Sequence, residues 1–268
     1  MAPPLTGDGD ATRDAEHLGD RGDWPARRAQ LRKGFEQLDA DVITLQETIL
    51  TDEIDQAAEM LGPSYQLAQS SDRETDGQGI TTASRWPIGR VEELDLHLTE
   101  RTSDFACTCL ITEILAPWGR LWVANHFPDY QVDHERERCL QTVLAAQRLE
   151  ELVAESPGDV VVAGDLDAEL TADSLRFWTG RHVIDDLSVC YRSAWESARP
   201  GEALETYVQD NPYFESGDWP FQGIDHVLVR CGPRGRPTLP ILSCDRIFDQ
   251  PDLTPSDHYG LLVELGQP

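Results

Sequence analysis

Apolar positions recur along this chain in two rhythms. Between Trp24 and Asp39, Leu31, Phe35 and Leu38 repeat at helical spacing and predict an amphipathic helix. Asp41-Val-Ile-Thr-Leu-Gln-Glu47 follows as a short apolar run rich in β-branched residues, the pattern of a buried strand. A second helix is expected to start at Thr51, with Asp52 and Glu53 in its first turn, and to end at Gly62-Pro63. Residues 64–78 are polar and read as a loop. Strands are expected over 79–84, 107–114, 121–127, 159–165, 224–230, 238–244 and 260–265. The strongest helix runs from Asp133 to Glu155, where Leu140, Val143, Leu144, Leu149, Leu152 and Val153 form one apolar face. Thr171 is placed as the cap of a short helix ending at Trp178, and residues 188–222 read as a loop-rich stretch. No repeat of fixed period and no interior linker interrupts the series.

Several of these apolar runs meet an acid or an imidazole at one end. Val42–Leu45 leads to Glu47, Leu121–Ala124 to Asn125-His126, and Val160–Ala163 to Gly164-Asp165-Leu166-Asp167. Asp225-His226 opens one late strand and Ser256-Asp257-His258 precedes another. A charge inside a fully buried strand is very costly, so charges at strand ends point to a rim. Taken singly, each has a plain structural explanation, such as a turn residue or a strand leaving the core. Five together suggest one rim that collects carboxylates and imidazoles. Carboxylate oxygens suit Mg²⁺ or Mn²⁺, and a carboxylate or imidazole beside them can handle the proton of a water.

Composition bounds what such a rim serves. The chain has 268 residues with 49 acidic and 22 basic side chains, a formal charge of −27. Lys33 is the one lysine; the other basic residues are arginines. So acidic a chain repels polyanions on average, which disfavours bulk nucleic acid and anionic membranes as partners. A phosphate substrate stays compatible, because a bound divalent ion reverses the local field. No window approaches the ~18 apolar residues of a membrane span, and residues 1–10 carry no basic, apolar leader pattern. The six cysteines form no CxxC and no zinc-ribbon spacing, and a reducing cytoplasm is the expected location. Residues 1–23, rich in Gly, Asp and Pro, read as a poorly ordered tail ahead of a single domain over 24–268.

The ordered set Asp41–Glu47, Gly79–Ile88, Val123–His126, Gly164–Asp167, Ile224–His226 and Ser256–His258 resembles the endonuclease/exonuclease/phosphatase superfamily, which includes deoxyribonuclease I-like and exonuclease III-like enzymes. The resemblance covers roughly residues 24–265. It implies a four-layer α/β/β/α sandwich of two packed, mostly antiparallel sheets. It implies Mg²⁺ (or Mn²⁺) on Glu47 and Asp257, His258 beside the attacked phosphorus, and Asp165 orienting or deprotonating the attacking water. Asp225 matches a family acid near the site, and Asp257 is a further candidate to buttress His258. His126 matches a phosphate-contacting position, with Asp167 completing the catalytic set. Asn125, Arg192 and Tyr259 are the candidate substrate-binding residues.

Two departures from the family pattern stand out. The family opens with a strand carrying an Asn at the metal site, and the segment before Trp24 has neither Asn nor an apolar strand pattern. Where the family has Gly-Asp-x-Asn, this chain has Gly164-Asp-Leu-Asp167, which exchanges two amide N–H donors for a carboxylate. The leading reading is a Mg²⁺-dependent phosphoesterase or phosphodiesterase acting on a small soluble phosphoester or headgroup. The alternatives are a DNA or RNA nuclease, and a catalytically impaired binding member of the same fold.

Overall fold

The computed structural model describes residues 24–103, 105–214, 217, 219–250 and 254–268. The expected tail, 1–23, lies outside them. The chain begins with helix α1 (Trp24–Leu38), strand β1 (Val42–Ile49) and helix α2 (Gln56–Leu61). Strands β2 (Gln66–Gln69), β3 (Gln78–Ser84), β4 (Ile88–Asp95), β5 (Thr108–Ala116) and β6 (Gly119–Phe127) follow. Helix α3 (Glu135–Glu155), strand β7 (Asp159–Asp165) and helix α4 (Asp173–Trp178) come next. After β8 (Tyr191–Ser193) and α5 (Ala194–Ala198), the chain ends in β9 (Asp225–Arg230), β10 (Ile241–Ile247) and β11 (Gly260–Leu265).

Six strands form one sheet in the order β4-β5-β6-β7-β9-β8. Only its β6–β7 pair is parallel, and the 21-residue α3 supplies the crossover that parallel neighbours require. A second layer holds the sheet β1-β3-β2 and the pair β10-β11. Between the layers, Val123, Val161 and Val229 meet Val42, Ile241 and Leu265. On the outer face of the six-stranded sheet, Ile111, Trp122 and Val162 pack on Leu149 and Leu152 of α3 and on Trp178 of α4. On the opposite side, Phe35 of α1 and Met60 of α2 cover Ile43 and Ala83. The order of layers is therefore α/β/β/α, as the resemblance implies.

The local chemistry explains most boundaries. Pro25 sits in the first turn of α1, where its missing N–H costs nothing. At the start of α2 the structure corrects the sequence reading. Asp55, not Thr51, caps the helix, its Oδ1 accepting from Ala58 N at 2.9 Å. The Thr51 hydroxyl instead accepts from Ile54 N at 3.1 Å in the preceding turn. Helix α4 is preceded by Ala172 rather than capped by Thr171, with no side-chain cap. The 64–78 stretch contains β2, a four-residue strand in which only Ala68 is buried. Strand β4 is another addition, a solvated edge carrying Arg90, Glu92, Glu93 and Asp95 that shows no apolar run. The 188–222 stretch holds β8 and α5, and β10 begins at Ile241, three residues later than expected. No described helix is long and apolar enough to cross a membrane.

Candidate active site

Strands β1, β7, β9 and β11 bring their polar ends to one cavity of about 300 Å³, lined by Glu47, Asp165, Asp225, Asp257, His258 and Tyr259, among others. Each acid arrives through a local feature. Glu47 sits where the β1–β3 register shifts between Leu45 and Thr48, and its φ is +55°. That bulge turns an exposed carboxylate out of the strand. Asp165 ends β7 after Gly164, whose φ is +152° and where a Cβ would lie 2.3 Å from the His126 carbonyl oxygen. Only glycine lets β7 approach β6 so closely there. Beyond it, Asp165 Oδ1 accepts from Asp167 N at 3.1 Å, which folds the chain back at the strand end.

Asp225 opens β9, and Thr206 ties that strand to its neighbour. The Thr206 hydroxyl accepts from Ile224 N and Asp225 N at 3.3 and 3.2 Å, while Thr206 O accepts from Tyr259 N at 2.8 Å. Asp225 and His258 thereby share one fixed corner. His258 Nδ1 donates to Asp225 Oδ2 at 2.9 Å and lies 3.8 Å from Asp165 Oδ2. Tyr207 covers the imidazole, its ring centroid 4.6 Å away. The buttress of His258 is thus Asp225. Asp257 points its Oδ1 to the Ser256 hydroxyl instead, at 3.3 Å.

The electrostatics follow from burial and crowding. Burial alone disfavours the His258 imidazolium, but Asp225 and Asp165 outweigh it and hold its pKa well above the ordinary value. Asp165 is pushed up to about 7, first by burial and then by Asp225 and Glu47, against the opposing pull of His258. Asp167 is raised well above a normal carboxyl by burial and by Asp165. Its Oδ2 is buried without a hydrogen-bond partner, and its φ is +51°.

Not every expected residue reaches the cavity. His126 points to the outer, helix-covered face of β6, fully buried against Trp178 with both ring nitrogens unpartnered. It does not sit where a phosphate contact requires, because side chains alternate faces along a strand. Asn125 takes the inner face, but as a brace: its amide donates to Leu45 O and Thr81 O and its Oδ1 accepts from Gln46 Nε2 at 2.6 Å. It steadies the bulge that carries Glu47 rather than lining the cavity. Arg192 lies in a separate cleft with Arg181 and Glu196, its Nε donating to Gly235 O. Asp167 adjoins Asp165 beneath the cavity lining. Thr206 had no signal in the sequence, since its partners lie 16 to 53 residues away.

Which residues could hold a cation follows from the donor set. Ligand atoms of Asp165, Asp225 and His258 fall within 4.8 Å of one another. That trio is better described as a hydrogen-bonded relay, because the Nδ1 a metal would need already donates to Asp225. Glu47 and Asp257 leave their carboxylates at the same cavity. Four carboxylates against Arg27 and His258 among the lining residues fit a hard divalent cation at that end.

Two packed sheets between helix layers, with a His–Asp pair and carboxylates at the strand ends, define a phosphoester-hydrolase type of fold. The Endonuclease/Exonuclease/phosphatase family model matches residues 13–258, and the chain belongs to that family. Among solved structures, an endonuclease/exonuclease/phosphatase from Bacteroides vulgatus is similar at 18% identity and a TM-score of 0.70, covering 92% of each chain. TDP2 from D. rerio, complexed with a single-strand DNA product, is similar at 17% identity and TM-score 0.69, covering 89% of this chain and 91% of that one. The human Nocturnin catalytic domain with bound sulfate follows at 17% identity and TM-score 0.65, with 91% and 87% covered. At these identities the likeness is one of fold. No curated protein matches the chain by sequence.

Proposed function

We propose that this chain is a metal-assisted phosphoester hydrolase whose substrate is a small phosphoester or headgroup. The observation that carries this reading is the Asp225–His258 hydrogen bond, with Asp165 facing the same ring. Fixing Nδ1 on Asp225 leaves Nε2 as the nitrogen to meet a phosphoryl oxygen. In this reading Asp165, which faces the same ring, orients a water and accepts its proton. Glu47 and Asp257 would hold Mg²⁺ or Mn²⁺, which when bound polarises a phosphoryl oxygen and offsets the charge of the surrounding acids. Tyr259 closes one wall, 4% exposed, with Arg246 over its ring.

The preference for a small substrate rests on charge. With a formal charge of −27 and four carboxylates at the cavity, the chain repels a polyanionic nucleic-acid backbone on average. The test is hydrolysis of plasmid DNA, a short RNA, bis-p-nitrophenyl phosphate, p-nitrophenyl phosphate and sphingomyelin, each with Mg²⁺ and with EDTA. The expected result is turnover of a small ester, lost in EDTA and in Glu47→Ala. Turnover of plasmid or RNA with small esters untouched would make it a nuclease. A folded protein that binds no Mg²⁺ and hydrolyses nothing would make it a binding member of the family.

A further inference from the structure

The cavity of Glu47 and His258 uses no cysteine, and the six cysteines divide by their surroundings. Cys107, Cys109 and Cys244 are at most 1% exposed. Cys139 is partly exposed but faces the Glu135 carboxylate of its own helix, at 3.8 Å. Cys190 and Cys231 are partly exposed and stand side by side, although they are far apart in sequence.

Their placement follows from the register of two strands. Strand β8 pairs antiparallel with β9, with Tyr191 opposite Arg230. One step further, Cys190 stands opposite Cys231, whose N–H donates to Cys190 O at 2.8 Å. Residues opposite each other in this way point their side chains to one face. In such a hydrogen-bonded pair the Cα atoms lie about 5.5 Å apart, inside the range of about 4.4–6.8 Å that a disulfide spans. The Cys231 thiol accordingly has the Cys190 thiol among its side-chain partners. Strand β8 is three residues long and outermost in its sheet, so among the described residues no further strand resists the small shift that closes the bond.

A charge completes the site. Arg192, two residues along β8, also reaches the Cys231 thiol. It lines a cleft of about 400 Å³ together with Arg181, Glu196 and Ser197. Arg181 is paired with Glu196, whereas among the described residues no carboxylate pairs with Arg192. In a chain with 49 acidic side chains, a guanidinium left without one is suited to an anion from outside. We propose that Cys190 and Cys231 form a reversible thiol–disulfide site that reacts with an acidic low-molecular-weight disulfide. One thiolate of the pair attacks a sulfur of that disulfide and expels the first small thiolate. The other cysteine then attacks the mixed disulfide at its protein sulfur and expels the second. Two protein thiols become one disulfide, and two electrons pass to the reagent, which leaves as two thiols carrying the two protons. Arg192 holds the acidic part of the reagent.

The product ties β8 to β9 and encloses the segment that carries Thr206 and Tyr207, the supports of the His258 corner. Burial, and then Cys190 beside it, push the Cys231 thiol up to about 11 against the pull of Arg192. The pair is therefore slow to react at neutral pH and exchanges faster as pH rises. A disulfide at an exposed edge also stays reducible, so the bond opens again in reducing surroundings. The inference needs no turnover and is independent of the hydrolase reading.

The test incubates the full-length folded chain with glutathione disulfide at pH 7 and pH 9 and reads intact mass, disulfide-linked peptides and thermal unfolding. The wild type should lose two hydrogens, yield one linked pair of peptides joining Cys190 to Cys231, and gain about 5–10 °C in Tm. Dithiothreitol should reverse all three changes. Cys139→Ser should behave as wild type, while Cys190→Ser should instead carry one glutathionyl group, on Cys231. Arg192→Gln should slow closure about fivefold with glutathione disulfide and leave it unchanged with the neutral 2-hydroxyethyl disulfide. Two glutathionyl groups on the folded wild type, a linked pair involving another cysteine, or no reaction at pH 9 overturns the site. Equal slowing of both reagents by Arg192→Gln overturns the acidic class of the reagent.

Discussion

Two histidines show how differently one sequence pattern resolves. His258 and His126 both adjoin apolar strands, and for both the family resemblance implies a place at a phosphate site. His258 stands at the cavity with its Nδ1 on Asp225 and Asp165 beside it. His126 lies on β6, 0% exposed, on the face that packs against Trp178. The environments push the two imidazoles in opposite directions. Neighbouring carboxylates hold His258 well above its ordinary pKa, while burial with no acid partner lowers His126 to about 3. One is built to be charged and one to stay neutral. Proximity to a motif does not assign a role; the face of the strand and the charges on that face do.

The largest effects should therefore fall on the carboxylate-paired histidine. His258→Ala is expected to lower kcat about 10³-fold or more on the preferred ester, and Asp225→Asn about 10²-fold. Both variants should keep the wild-type far-ultraviolet circular dichroism. Mutual dependence sharpens the comparison: in the double variant the loss should be close to that of His258→Ala alone, because Asp225 acts through the ring. Additive losses would mean that Asp225 works on the substrate by itself, and the dyad reading would fail.

A second contrast lies within the Gly164–Asp167 turn. Asp165 has the imidazole within reach, whereas Asp167 buries an unpartnered Oδ2. Because the folded Asp167 carboxyl titrates well above its unfolded value, both states are protonated at low pH and no cost appears there. As pH rises past the unfolded value near 4, the unfolded state gains a charge that the fold resists, and stability falls. Asp167→Asn should then stabilise the metal-free protein by about 1–3 kcal/mol at pH 8 and by much less at pH 4.5. Thermal unfolding at the two pH values checks this. A destabilised Asn variant at pH 8 would show that the carboxylate is paired as an anion.

These contrasts also mark what could be read before the fold was known. The long α3 and the strand β7 from Asp159 to Asp165 follow from apolar periodicity alone, since burial on one or both faces writes itself into the sequence, whereas the layer order came from the family resemblance. The set Glu47, Asp165, Asp225, Asp257 and His258 could be assembled from residues at strand ends and by resemblance, and the structure gathers it at one cavity. Strands β2 and β4 left no such trace. They are short or solvated, and their pairing is decided by β3 and β5 across the sheet. The roles of Asn125 and Thr206 were equally hidden, because each acts by bonding backbone groups far away in sequence. The choice between Asp225 and Asp257 as the partner of His258 needed distances.

The sealed histidine gives a smaller, pH-dependent effect of opposite sign to Asp167. The unfolded chain takes up a proton at His126 below its ordinary value near 6.5, while the folded chain resists until about 3. Its stability is therefore complete above pH 6.5 and is lost as pH falls toward 3. Between pH 7.5 and 5 this one group accounts for at most about 2 kcal/mol. His126→Phe should lose less stability than wild type over that interval and keep kcat/KM within about threefold. A hundredfold loss of activity with an intact fold would place His126 in contact with substrate and collapse the distinction from His258.

The smallest effect is expected at Arg192, and it tests how far the substrate path extends. Its side chain is exposed on the outermost strand of the six-stranded sheet, tethered to Gly235 O, in a cleft apart from the one that holds Glu47 and His258. An exposed arginine with one backbone bond contributes little to stability, on the order of 0.5 kcal/mol. Arg192→Ala should leave kcat/KM for a small ester within twofold at both low and high salt. If instead KM rises tenfold at low salt and recovers toward wild type in high salt, the β8 edge carries an anionic part of the substrate. The substrate would then have to reach from β8 across β9 to the cavity, which a small headgroup does not do. Such a result would favour an extended phosphodiester, and the charge argument against nucleic acid would give way to a local cationic path.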